Sequence, residues 1–182
     1  VDEGVTNYPW YEVVHGAELT QGDLIPACPV LVPNAPDDVQ ALESVGDVEL
    51  ETGVARQDVV VMTQACDLAH DKVAFVALCP VWTLDEFSAE NQPFASARAK
   101  DRIRQGQVPA YHMLAGHGDT DAPISVVEFH QIFSLPKGYL RAVAQNAGPR
   151  LRLLPPYREH LAQAFARYFM RVGLPVDIPA FN

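Results

Sequence analysis

The chain has 182 residues, 48% of them hydrophobic and 20% charged, a balance that supports one domain with a real core and excludes a disordered chain. Its formal net charge of −10 argues against general nucleic-acid binding, because phosphate neutralisation needs clustered Lys and Arg. No apolar run approaches the roughly 18–20 residues that span a bilayer, and the opening VDEGVTNYPW lacks the basic start and apolar stretch of a signal peptide, so a cytoplasmic protein without membrane contact is expected.

The charge is unevenly placed. Residues 1–97 hold 2 basic residues against 17 acidic ones, whereas residues 98–182 hold 11 against 6, so the molecule is electrically two-faced if the halves occupy different surfaces. Acidic loops early and basic helices late give the same count without functional meaning. The three cysteines, Cys28, Cys66 and Cys79, are odd in number and lack CxxC spacing, which predicts free thiols rather than disulfides or a zinc site.

In chain order, GDLIPACPVLVP (22–33) is an apolar run broken by Pro26, Pro29 and Pro33, none of which donates to a ladder; it reads as an edge or bulged strand. The acidic, turn-rich stretch 34–53 reads as a surface loop with a short helix or strand. DVVVMTQACDL (58–68) and KVAFVALCPVW (72–82) flank AHD as a hairpin would, with strands buried on both faces. A tip at Ala69 to Asp71 places Cys79 near Thr63 and Cys66 beside the turn, so Cys66 and Cys79 do not meet.

Further on, SARAKDRIRQ, within 90–109, predicts a short exposed basic helix ended by Gly106 and Pro109. AYHML (110–114) precedes a loop rich in Gly and Asp, and ISVVEFHQIFSL (124–135) resumes as a strand. PPYREHLAQAFARYFMRVGLP (155–175) is the clearest helix: Pro at its start, Gly173 and Pro175 past its end, and one apolar face through Leu161, Phe165, Tyr168, Phe169 and Val172. The tail VDIPAFN reads as irregular, and no internal repeat is visible.

GDLIPACPV, ARQDVVVMTQ, KVAFVALCPVWT and ISVVEFHQI together resemble the strands of the MazF/PemK family of toxin ribonucleases over about residues 20–135. The resemblance implies an α+β chain built on an SH3-like antiparallel β-barrel, here with a basic helical insertion and a C-terminal amphipathic helix, in one domain whose helical extension covers about 136–182. In that family an Arg opening the second strand, a Ser or Thr closing it, and a Thr after the proline of the third strand act on the RNA phosphate. The nearest matches are Arg56, Thr63 and Thr83, with Trp82 in the place closest to the expected threonine. TQxCDL, YHML and the terminal helix also resemble a set of uncharacterised bacterial proteins that carry no known activity.

The residues themselves offer chemistry beside plainer roles. Cys66 next to Asp67 is a candidate nucleophile if His70 or His112 folds against it; otherwise it is a small apolar residue, and Asp67 caps the turn. His112, between a basic helix and a flexible loop, suits a general acid or base on a rim, or a structural histidine. Arg98, Lys100, Arg102 and Arg104, with Arg150 and Arg152, form either a phosphate path or a solvated face, and Arg158, at the positive end of its helix, has a weak reason to meet an anion. The expected function is an RNA-directed, metal-independent endoribonuclease or a degenerate relative. In it Arg56 stabilises the phosphate, Thr63, Cys66 or His112 handle protons, Asp67 completes the catalytic set beside Cys66, and Arg98, Arg102, Arg104 and Arg158 bind. The alternatives are a protein-binding module or homodimer, and a cysteine- or metal-dependent hydrolase centred on Cys66. No cofactor is expected.

Overall fold

A computed structural model of the protein describes residues 8–33, 52–120 and 122–170. Most of the acidic stretch expected as a loop, together with Val172, Gly173, Pro175 and the tail, lies outside the described residues.

Strand β1 (Tyr11–Val14) pairs antiparallel with β8 (Arg150–Leu153), and these two form a small sheet of their own. The larger sheet runs in the order β2 (Leu24–Pro33), β3 (Thr52–Val61), β4 (Phe75–Thr83), β6 (Ser125–Glu128), β5 (Tyr111–Leu114). β7 (Phe133–Pro136) joins it on the first half of β4, while β6 occupies the second half of the same edge. Between those ladders Cys79 and Pro80 of β4 face Glu128 to Ile132, so the extra residues loop out and split the single strand expected at 124–135 into two.

The expected SH3-like, MazF/PemK-type barrel is not formed: the sheets are open. The strand path ends at β2 on one side and β5 on the other, no pairing joins these edges among the described residues, and β1 and β8 form a separate sheet that meets the start of β2 through a single bridge between Asp23 and Arg152. Barrel closure requires continuous strand pairing around a ring. Here the second edge of β4 is divided between β6 and β7, and β2 is prevented by its prolines from offering a full ladder. The architecture is α+β with five α-helices among the described residues.

β2 matches its sequence signature. It lies at the sheet edge, and its register against β3 shifts between Ile25 and Cys28, the bulge that the proline spacing predicts. The hairpin expected at 58–82 is antiparallel, but its connection is longer than AHD. Helix α1 (Ala65–Ala69) occupies the stretch read as strand end, and Cys79 stands opposite Val60 rather than near Thr63. Cys66 is exposed on α1 and Cys79 is buried, so the two thiols are separate.

Helix α2 (Leu84–Glu90) opens with Thr83 as N-cap, its hydroxyl accepting the Glu86 N–H (3.2 Å) while the Glu86 carboxylate accepts the Thr83 N–H (3.1 Å). The basic helix α3 (Ala97–Arg104) forms where expected, capped by Ser96. Helix α4 (Lys137–Asn146) buries Leu140 and Ala144 one turn apart. Helix α5 (Tyr157–Phe169) buries Leu161 and packs Phe165 and Tyr168 against the core, while Phe169 is exposed.

The central strands are covered on both faces. In β3, Val59 and Val61 join a core with Leu140 of α4, whereas Val60 joins the opposite core with Leu153 of β8 and Leu161 of α5. A third core gathers Phe87 of α2, Ile103 of α3 and Tyr111 of β5. The β1–β8 sheet and α5 therefore lie over one face of the main sheet, and that placement creates the site described next.

Candidate functional site

The residues singled out in the sequence are held by different local contacts. Arg56 donates from Nη1 to the Ala27 carbonyl (3.3 Å), and Asp58, on the same strand, accepts the Ala27 N–H at Oδ1 (2.7 Å). Together they clamp the β2 bulge, where Ala27 adopts the left-handed backbone region with φ of 45°. Thr63 accepts the Ala77 N–H at its hydroxyl (2.8 Å), tying the chain beyond β3 to β4. The strand from Arg56 to Val61 alone covers roughly 17 Å, so Arg56 and Thr63 belong to opposite ends of it.

Cys66 and Asp67 are neighbours on α1. The Cys66 sulfur lies 3.6 Å from Asp67 Oδ1 and 3.7 Å from Gln64 Oε1, and Asp67 forms an ion pair with Lys72 at 3.7 Å. His112 is on β5 at the far edge of the sheet, paired with Val127. Burial, and then the neighbouring His160 and Arg167 on α5, push its pKa down to about 4, so its imidazole is neutral at pH 7. Arg98 and Arg102 are exposed on α3, whereas Arg104 is paired with Asp101 at 2.7 Å. Arg158 pairs with its neighbour Glu159 at 2.6 Å. Thr83, matched by resemblance to a phosphate-binding threonine, is engaged in the cap of α2. Of these residues, Cys66 and Asp67 are held in direct contact, as sequence neighbours.

The structure instead presents a cavity of about 480 Å³ where the β1–β8 sheet overhangs the end of the main sheet, within the range of small-molecule pockets. Its walls come from β1, the first half of β2, the end of β3, the end of β4, Thr120, Ala122, Pro123, the start of β6 and β8. Val13, Leu24, Val81 and Leu151 give it apolar surface, and Tyr11 and Trp82 add aromatic surface.

Several polar groups around it are already engaged. The buried Tyr11 hydroxyl donates to the Ala115 carbonyl (2.7 Å), and burial raises its phenol pKa. Trp82 Nε1 donates to Glu128 (3.0 Å), and Thr120 contacts His117 Nδ1 (3.0 Å). Arg150, whose side chain is fully buried, donates to the carbonyls of Gly16 and Glu18 and pairs with Asp23 at 3.3 Å; Arg152 also binds Asp23. This network pins β8 to the segment before β2 and fixes one wall of the cavity. The arrangement suits holding a molecule by shape and desolvation.

Asp58 and Tyr11 carried no weight as site residues in the sequence, and Arg150 and Trp82 entered only through the expected phosphate path and the resemblance to a phosphate-binding strand. Their membership follows from the packing of the small sheet over the large one, and the only local signal was an acid, Asp58, immediately before the buried run VVVM. Among the described residues, no group of three or more His, Cys, Asp or Glu is placed to hold a metal ion, and no helix is long and apolar enough to cross a membrane. Compared with models of known protein families and with curated proteins, the chain matches none.

Proposed function

We propose that the protein is a binding module for a small, largely apolar molecule, held in the cavity between the β1–β8 sheet and the end of the main sheet. The observation that carries this reading is the cavity itself: about 480 Å³ of space walled mainly by apolar and aromatic side chains on rigid strands. Burying an apolar ligand there gains roughly 25 cal/mol per Å² removed from water.

The test is a titration with 4-phenylbutan-1-ol followed by amide NMR. Shifts are expected to cluster on Tyr11, Val81, Trp82 and Ser125. Ala122 lines the cavity and joins His117 through backbone hydrogen bonds, so Ala122→Trp adds bulk without removing them. It is expected to abolish the shifts while the rest of the spectrum stays folded. Shifts that survive Ala122→Trp, or none in the wild type, refute the reading.

A second reading, contact with RNA, is supported by Arg98 and Arg102, exposed four residues apart on one face of α3 and without an acidic partner among the described residues. Association with mixed RNA should then weaken steeply with added salt and with Arg98→Ala/Arg102→Ala; association insensitive to both refutes it.

A further inference from the structure

Two charged side chains line the cavity, Asp58 and Arg150, and they differ in availability. The Arg150 guanidinium is fully buried, bonded to two backbone carbonyls and to Asp23, so its charge is answered inside the protein. Asp58 is exposed; one carboxylate oxygen accepts the Ala27 N–H, and among the described residues no cation pairs with it. Arg56, the nearest rival on that strand, donates to the Ala27 carbonyl instead. The cavity thus combines an apolar interior, two aromatic walls and one unanswered negative charge.

We propose that the ligand of this cavity is an amphipathic cation, with an apolar body lying along Tyr11, Val81 and Trp82 and an ammonium group paired with Asp58. The proposal rests on the ligand-binding reading above and names the chemical class that the site selects. Apolar surface accepts the body, and a cation gains from both the carboxylate and the faces of aromatic rings. A carboxylate ligand meets the opposite: repulsion from Asp58, while the Arg150 charge is already paired with Asp23.

The experiment compares three probes with one apolar body, 4-phenylbutylammonium, 4-phenylbutan-1-ol and 4-phenylbutanoate, by NMR titration of the full chain. The ammonium is expected to bind about two- to fivefold tighter than the alcohol, the range open to an exposed ion pair, and the carboxylate weakest. Asp58→Asn keeps an oxygen for the Ala27 N–H and should bring the ammonium's affinity down to that of the alcohol measured on the same variant. High salt should reduce the same advantage in the unmodified protein. If the alcohol binds as tightly as the ammonium, or Asp58→Asn leaves the preference intact, the cationic assignment falls and the cavity reading stands. If none of the three binds, both fall.

Discussion

Replacing Asp23 by alanine should be among the most damaging single changes in the protein. Asp23 is fully buried, pairs with Arg150 at 3.3 Å and with Arg152, and accepts the Thr20 N–H at 3.2 Å. Removing it leaves the Arg150 guanidinium buried with two carbonyl acceptors and no counter-charge, a situation that costs about 3–5 kcal/mol. Against a total stability of roughly 5–15 kcal/mol, that is a large share. With a urea slope of roughly 2 kcal/mol/M, the unfolding midpoint should fall by about 1.5–2.5 M. Asp23→Asn keeps one acceptor oxygen but loses the charge, and should fall between the two. Urea unfolding followed by circular dichroism measures all three proteins. A loss below about 1 kcal/mol for Asp23→Ala would show that Arg150 is adequately solvated by Gly16 and Glu18 alone, and would refute the claim that this network pins the wall of the cavity.

Other consequences are separable. The depressed pKa of His112, about 4 against an ordinary value of 6.5, means that between these values the unfolded chain binds the proton and the folded protein does not. Stability present above pH 6.5 is therefore lost as pH falls toward 4, by about 2 kcal/mol between pH 7 and pH 5. His112→Leu should flatten that part of the stability profile, and an unchanged slope would exclude His112 as its source. Thr83→Ala removes the hydroxyl half of the α2 capping box and should cost about 1 kcal/mol in thermal or urea unfolding, with Thr83→Ser close to the wild type. Exposed Cys66 should react quickly with a thiol reagent in the native protein. Cys28 and Cys79, buried and with thiol pKa values pushed by burial to about 11 and about 12, should react only on unfolding; three rapid equivalents would contradict the packing of both core strands.

Elements with a local physical signature were legible from the sequence. The proline spacing of β2 announced an edge or bulged strand, the helix formers before Gly106 placed α3, and the proline start and apolar period of α5 placed that helix over its described residues. Elements whose identity depends on partners were not. RLRL of β8 reads as a pair of surface arginines until Asp23 supplies the buried acid that makes it a strand interior. The five residues of α1 are too few to show a helical period. The capping box of α2 stood in TLDE, but Thr83 was weighed through its resemblance to a phosphate-binding threonine rather than as an N-cap. The barrel expectation failed because local strand patterns do not encode closure: it was decided by the residues inserted between β6 and β7 and by the pairing of β1 with β8 in a sheet of their own.

The site was less legible still, because reactive residue types were used for local structure while the cavity was assembled from ordinary ones. TQACDLAHDK supplies a hydroxyl that closes β3 against β4, a short helix and an ion pair with Lys72. Arg56, taken as a group that binds phosphate, holds the carbonyl of a bulge instead. That bulge has a consequence beyond its own strand. Asp58 satisfies the Ala27 N–H with one oxygen, so the deformation of the edge strand fixes the carboxylate at the mouth of an apolar cavity while leaving its charge without a cationic partner among the described residues. A regular β2 would provide no such anchor, and removing the bulge by deleting Ala27 should therefore disorder Asp58 and weaken the preference for a cation before it unfolds the sheet.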